Sequence, residues 1–253
     1  MKKTLFTVLA VIILAMSASI TNANAGTVLL LGTDAVNFHD DNGFINPLFN
    51  HLVANSGGSN NVLFLSSYGT GATVNYTGGA ASFTFRDYSF VTGTTNLSAY
   101  EAIYIDSPGS CCSDPGTSMT ASSGTTLQNY VSSGGALAVG DYAGDAYWNT
   151  VLGFTGSGIT SNGSCYDPAV STALGLADGF NASYTDGCFG HQSYDPAFWT
   201  THGFNALQTV GSSSFNGDFS TMERSTSVPE PASLALFGLG LLGFAASRRK
   251  SVK

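Results

Sequence analysis

The chain has 253 residues, 16 of them acidic and eight of them basic, which gives a formal charge of −8 at pH 7. Between Gly26 and Ser227 the imbalance is larger, because that body holds 15 acids, two arginines and no lysine. Such a body cannot neutralise a row of phosphates, which excludes nucleic acid as a partner. It also repels anionic polysaccharide unless cations bridge the two. Its roughly 200 residues suffice for one domain with a core.

The N-terminus has the pattern of a secretory signal peptide. Lys2 and Lys3 precede an apolar stretch over residues 5–16, and Ala23-Asn24-Ala25 places small residues at the two positions that a signal peptidase recognises. A buried N-terminal helix is the alternative, but no cap or amphipathic period accompanies the run. We therefore predict that residues 1–25 are a signal peptide and that signal peptidase cuts after Ala25.

Four cysteines in an exported chain predict two disulfides, with three possible connectivities. They are Cys111, Cys112, Cys165 and Cys188. We favour Cys165 with Cys188, because this pair closes a loop of about two dozen residues and would stabilise the fold by about 3 kcal/mol. Cys111 and Cys112 bond each other only with strain, so each could instead reach into the later loop. A zinc site is the alternative, but no CxxC pair is present and the histidines are scattered.

Short apolar runs and helical patterns alternate along the first half of the body. Residues 27–31 and 61–65 read as strands buried on both faces, and Asn46 and Pro47 supply the cap and first residue of a helix between them, which Gly57 ends. A second unit follows, with strands over 102–105 and 136–139 around a helix over 126–132. This order predicts parallel strands with right-handed crossovers.

Other segments predict additions to this pattern. Residues 72–90 alternate around Gly78-Gly79 and predict an inserted hairpin, and residues 146–152 predict a helix. Asn216-Gly217 is the turn signal of a tight hairpin. We therefore expect a three-layer α/β domain over residues 26–224 with a mainly parallel sheet, followed by a linker at 225–227.

The last 26 residues contain three parts in a fixed order. They are Val228-Pro229-Glu230-Pro231, an apolar run over residues 232–246, and the cluster Arg248, Arg249 and Lys250. As a helix the run reaches about 22 Å, short of the roughly 30 Å hydrocarbon core, and the basic cluster would hold its end on the cytoplasmic side. Residues 228–253 resemble the PEP-CTERM sorting signal of Gram-negative bacteria.

This resemblance implies an export route. An exosortase would recognise the tail, the apolar helix would hold the protein in the membrane transiently, and cleavage near the Pro-Glu-Pro motif would release it. The protein would then reach the cell surface or the exopolysaccharide matrix, with exopolysaccharide or other surface proteins as partners. An uncleaved single-span anchor is the alternative.

The order of elements and the stretch TLQNYVSSGGALAVGDYAG over residues 126–144 resemble class I glutamine amidotransferase-like domains. In that family a strand ends in an elbow with the motif G-x-C-x-G, and the matching residues here are Gly140-Asp141-Tyr142-Ala143-Gly144. Tyr142 replaces the nucleophile, so the resemblance implies the fold more than the activity. Asp106-Ser107 follows the preceding strand, where the family has its oxyanion loop.

These residues leave two hypotheses for the function. The first is a non-enzymatic surface or matrix protein. The second is a secreted hydrolase that uses a cleft at the carboxyl edge of the sheet. Its lining would come from Asp106, Ser107, Asp141, Tyr142 and His191, although a tyrosine with an ordinary pKa near 10 is no nucleophile at neutral pH and a loop histidine is common without any function.

A cluster of oxygen-bearing side chains follows the first strand. It consists of Asp34, Asn37, Asp40, Asp41 and Asn42, ahead of Gly43. Calcium takes six to eight oxygens from a flexible loop, and the acidity of the body favours such a cation. The spacing does not match an EF-hand, and a turn whose side chains bond their own backbone is the alternative. We expect a calcium site or a turn here.

Overall fold

The structure is a computed structural model. It describes residues 26–36, 42–54, 60–79, 81–106, 121–140, 158–185, 187–211 and 215–225. Several predictions lie outside these residues: the signal peptide, the tail, the calcium candidates Asn37, Asp40 and Asp41, the cleft residues Ser107, Asp141 and Tyr142, the pair Cys111 and Cys112, and the helix over 146–152.

The described residues form strands and α-helices in the following order along the chain. They are β1 (Thr27–Leu31), α1 (Asn42–Ala54), β2 (Asn61–Leu65), β3 (Ser82–Arg86), β4 (Ala102–Ile105), α2 (Ala121–Ser132), β5 (Ala136–Gly140), β6 (Ile159–Tyr166), β7 (Ala169–Ser171), α3 (Ala173–Ala177), β8 (Ser183–Tyr184), β9 (Gly190–Tyr194), α4 (Pro196–Thr201), β10 (Asn205–Val210) and β11 (Phe219–Ser225).

One sheet contains all of these strands, in the order β3-β2-β4-β5-β1-β11-β10-β7-β8, and β9 pairs with both β11 and β6. The five strands from β3 to β1 are parallel, as the βαβ pattern predicts. From β11 onward every described pairing is antiparallel. The prediction of a mainly parallel sheet is therefore wrong for the second half of the body.

Strands β1, β2, β4 and β5 are apolar on both faces, as expected for parallel strands whose two faces are both covered. Leu29, Phe64 and Tyr104 point into the cluster beneath α1. Their neighbours Leu30 and Leu65 point into the opposite cluster, with Leu127, Tyr130 and Val131 of α2. The parallel half therefore has the three layers that the sequence predicts.

Helix α1 begins at Asn42, so the prediction that Asn46 caps it and Pro47 opens it is wrong. Pro47 lies inside the helix and has no N–H to donate to the carbonyl of Gly43, four residues earlier. The Tyr184 hydroxyl donates to that carbonyl instead, at 2.6 Å. This contact satisfies the buried carbonyl and makes the proline tolerable inside the helix.

The prediction of an inserted hairpin over residues 72–90 is also wrong. The segment contributes one strand, β3, which lies parallel to β2 at the end of the sheet order. Gly78 packs against α1, where a Cβ would lie 2.7 Å from the Cβ of Asn46. The Asn46 side chain accepts a hydrogen bond from the Thr77 N–H at 2.9 Å. The glycines here permit close packing on a helix and do not form a hairpin turn.

A hairpin around Asn216-Gly217 is confirmed, because β10 and β11 are antiparallel neighbours, but the prediction that it is tight is wrong. Gly217 has φ 94°, which glycine adopts without strain. Its N–H donates to the Val210 carbonyl at 2.9 Å. The connection runs from residue 211 to residue 218, so it is longer than a two-residue turn.

Candidate functional site

Buried polar side chains collect at the carboxyl ends of the parallel strands, the edge where open α/β sheets bind ligands. Ser66 follows β2, and its hydroxyl donates to Oδ2 of Asp106, which follows β4, at 3.2 Å. The Asp106 N–H continues the β-ladder by donating to the Leu65 carbonyl at 2.9 Å. The two side chains meet because their strands are neighbours and end at the same level.

A second pair lies beyond β1. Nε2 of His191 is 3.1 Å from Oδ1 of Asp34, and the two side chains are only 6% and 3% exposed. His191 is in strand β9 and not in a loop, so that part of the sequence interpretation is wrong. The N–H groups of His191 and Gln192 both donate to the Gly32 carbonyl, at 2.8 and 3.0 Å. A Cβ at Gly32 would lie 1.9 Å from the Gln192 carbonyl oxygen, so this approach requires glycine.

Tyr104 lies on β4 near both pairs. Burial raises the pKa of its hydroxyl well above 10, and the negative charges of Asp106 and Asp34 raise it further. Within the described part of the chain the hydroxyl has no hydrogen-bond partner. Tyr104 therefore stays neutral at any physiological pH and cannot act as a nucleophile.

The disulfide between Cys165 and Cys188 is confirmed. It joins the end of β6 to the residues before β9, over a sequence separation of 23. Nδ1 of His191 lies 3.5 Å from Sγ of Cys188, so the disulfide adjoins the Asp34–His191 pair. Of the residues predicted for the cleft, the structure thus places Asp106 and His191 at one edge of the sheet, while Ser107, Asp141 and Tyr142 lie outside the described residues.

A third cluster, which no sequence pattern predicts, lies on the α1 face of the sheet. Nε2 of His51 is 2.9 Å from Oε2 of Glu223 on β11, and its Nδ1 is 3.5 Å from Oδ1 of Asp178, which follows α3. Burial alone lowers the pKa of His51, but the hydrogen bond and charge of Glu223 and the charge of Asp178 raise it overall. Burial also raises the pKa of Asp178, against the charge of His51. The three residues come from distant segments, and no local motif marks them.

Each nitrogen of the His51 ring faces a different carboxylate. Although the three side chains are close enough to be considered as metal ligands, a metal ion bound at one nitrogen would leave the second carboxylate on the far side of the ring. A doubly protonated imidazolium satisfies both carboxylates at once. The cluster therefore fits a proton better than a metal ion.

Two grooves lie on the described surface. The larger, about 530 Å³, lies between residues 93–101 and the second half of α2. Threonines, serines, asparagines and glycines line it, together with Tyr100, Tyr130 and the single carboxylate of Glu101. The smaller, about 380 Å³, includes Asn42 and Asp178. Neither groove has a basic residue in its lining.

Comparison with known proteins gives one match, in the tail. The family model of the PEP-CTERM protein-sorting motif matches residues 227–250. The chain carries a PEP-CTERM sorting motif. A protein with this motif is exported to the cell envelope, where exosortase processes it and sorts it to the cell surface. The resemblance of the tail is thus confirmed.

The rest of the chain has no such match. No curated protein and no solved structure matches the sequence. The amidotransferase-like resemblance of residues 27–153 therefore stays a prediction. Among the described helices, none has the length and apolar character needed to cross a bilayer.

Proposed function

We propose that the protein is a non-enzymatic component of the cell surface or extracellular polysaccharide matrix, released into it when exosortase removes the tail near Val228. The observation that carries this proposal is the PEP-CTERM motif over residues 227–250. The apolar run that follows Pro231 is shorter than the bilayer core, which suits a transient anchor better than a permanent one.

The carboxyl edge of the sheet supports a non-enzymatic role. The Ser66 hydroxyl donates a hydrogen bond to the Asp106 carboxylate, and His191 contacts the Asp34 carboxylate and a disulfide sulfur. A hydrolase needs a nucleophile beside its base, and a sulfur held in a disulfide is not a nucleophile. The alternative of a hydrolase at this edge, with Asp106, Ser107, Asp141, Tyr142 and His191, stays a prediction.

The 530 Å³ groove supports a neutral polysaccharide as the partner. Its hydroxyl and amide groups can exchange hydrogen bonds with sugar hydroxyls, and the half-buried ring of Tyr100 offers an apolar surface to a sugar face. Burial raises the pKa of Tyr130, so its hydroxyl stays neutral. The charge of the body disfavours an anionic polymer.

The release of the tail is tested by the intact mass of protein extracted from the surface of its native host. We expect a mass that lacks the residues after about Val228, and the full tail in a strain without exosortase. Recovery of the full tail from the wild-type surface would contradict the proposed release.

Binding is tested by titrating the protein with neutral and with anionic polysaccharides. Tyr100→Ala should weaken binding of the neutral polymer about tenfold, or 1.4 kcal/mol. Tyr68→Ala, at a tyrosine that is 60% exposed and lies outside this groove, is the matched control. If both variants bind the neutral polysaccharide equally well, the groove is not its binding site, and the proposed export route is unaffected.

A further inference from the structure

We propose that the Cys165–Cys188 disulfide is redox-active: it exchanges with an external dithiol, and His191, held by Asp34, stabilises the departing Cys188 thiolate. This activity goes beyond surface sorting and polysaccharide binding. It rests on the contacts around the two sulfurs and on their unequal exposure.

The two cysteines differ in exposure. Cys165 is exposed at the end of β6, whereas Cys188 is half-buried and His191 beside it is 4% exposed. An incoming thiolate reaches the exposed sulfur more easily. We therefore assign the attack to the sulfur of the exposed cysteine and the departure to the sulfur of the half-buried one.

The ring of His191 lies beside the sulfur of Cys188. Nδ1 of His191 lies 3.5 Å and Nε2 lies 3.9 Å from Sγ of Cys188. Nδ1 is the nearer of the two nitrogens to the sulfur, and Nε2 faces the Asp34 carboxylate. A ring nitrogen within hydrogen-bond distance of a sulfur can stabilise the thiolate that forms there.

The backbone fixes this arrangement in place. The Thr33 hydroxyl donates to the Phe189 carbonyl at 2.5 Å and accepts the Ala35 N–H at 3.1 Å. The His191 N–H is bonded to the Gly32 carbonyl. The Thr33 hydroxyl thus joins the backbone on both sides of Asp34 to the Phe189 carbonyl, two residues before His191. These bonds hold the Asp34 carboxylate against the imidazole ring.

The exchange takes place in two steps. A thiolate of the external dithiol attacks Sγ of Cys165, a sulfur–sulfur bond forms there, and the Cys165–Cys188 bond breaks with its electron pair on Sγ of Cys188. The Cys188 thiolate then accepts a hydrogen bond from the His191 ring. The second thiolate of the dithiol attacks its own sulfur in the mixed disulfide and releases Cys165 as a thiolate, so the dithiol is oxidised and the protein is reduced by two electrons.

The proposal predicts faster reduction in the folded protein than in the unfolded chain. We would treat the purified full chain with dithiothreitol at pH 7, quench with an alkylating agent, and follow the Cys165 and Cys188 peptides by mass spectrometry. A structural disulfide is slower to react when folded, so a folded rate about tenfold above the rate in denaturant is diagnostic. A folded rate at or below the unfolded rate would overturn the proposal.

Variants separate the role of His191 from folding. His191→Gln and Asp34→Asn should each slow reduction of the folded protein about tenfold and leave the rate in denaturant unchanged. His202→Gln, at a histidine that contacts the Phe198 carbonyl and ring, should change neither rate. Wild-type rates in both folded variants would overturn the proposal.

A monothiol gives a test that needs no substitution. Glutathione should form its mixed disulfide on Cys165 and leave Cys188 as the free thiol. An adduct found mainly on Cys188 would overturn the assignment of attacked and leaving sulfur, even if the variants of His191 and Asp34 fail to fold.

Discussion

The contact of His51 with two carboxylates should make the stability of the body depend on pH. The side chains of His51 and Glu223 are both 12% exposed, and the side chain of Asp178 is 20% exposed. In the unfolded chain His51 has its ordinary pKa of about 6.5, and in the folded protein its pKa is raised. The stabilisation is therefore fully present below pH 6.5 and is lost as the pH rises through the folded pKa.

Replacing His51 with glutamine keeps a hydrogen-bond donor and removes the charge. The 2.9 Å contact with Glu223 is a charge-assisted hydrogen bond, whereas the 3.5 Å contact with Asp178 is longer and contributes less. We expect His51→Gln to lower the free energy of unfolding by about 2 kcal/mol at pH 6. The difference should shrink above pH 6.5, by at most about 1.4 kcal/mol per pH unit.

Urea unfolding of wild type and His51→Gln between pH 5.5 and 9 measures this difference. Subtracting the two free energies of unfolding at each pH removes the contribution of titratable groups that both proteins share. His202→Gln is the control for the loss of a histidine at another site. If the difference in free energy of unfolding between wild type and His51→Gln stays constant from pH 5.5 to 9, the two carboxylates do not raise the pKa of His51 in the folded protein.

Three further predictions concern metal, packing and redox state. Millimolar calcium should raise the melting temperature more than sodium chloride of matched ionic strength does. The double variant Asp40→Asn, Asp41→Asn should lose most of this extra increase. Equal melting temperatures in calcium and in sodium chloride would exclude a calcium site. Gly190→Ala should destabilise by about 3 kcal/mol in urea unfolding, because its Cβ would lie 1.9 Å from the Tyr166 ring, whereas Gly71→Ala, with nothing within 4 Å, should be neutral. Alkylation before reduction should label none of the four cysteines in protein extracted without reductant, and labelling of two or more would contradict this.

The parallel half of the sheet could be predicted because its strands are continuous apolar runs. Residues 27–31, 61–65 and 102–105 are strands with the predicted bounds, and β5 extends one residue further than predicted. Burial on both faces makes nearly every position of such a strand apolar, so the strand can be recognised without knowing its neighbours. The same reasoning failed for residues 72–90, because alternation alone does not say which strand will be the neighbour.

The antiparallel half could not be predicted in this way. Strand β9 has the sequence GHQSY, and all five of its residues are buried. Its polar side chains are buried because partners from other segments satisfy them, such as Asp34 for His191. Such contacts join segments that are distant in sequence, so no local pattern indicates them. The contact of His51 with Glu223, 172 residues away, is another example. The disulfide was the exception, because four cysteines in an exported chain predict disulfides and the loop length favoured Cys165 with Cys188 among the three connectivities.

The pairing of β1 with β11 determines when the sheet can be completed. Thr27 lies opposite Ser225, so the first and last strands of the body are direct neighbours near the middle of the sheet order. A ladder between strands roughly 200 residues apart forms late, because chain closure over that distance must come first. In any chain that emerges N-terminus first, one edge of β1 therefore stays unpaired until β11 is available, so this sheet is completed only after residue 225 has emerged.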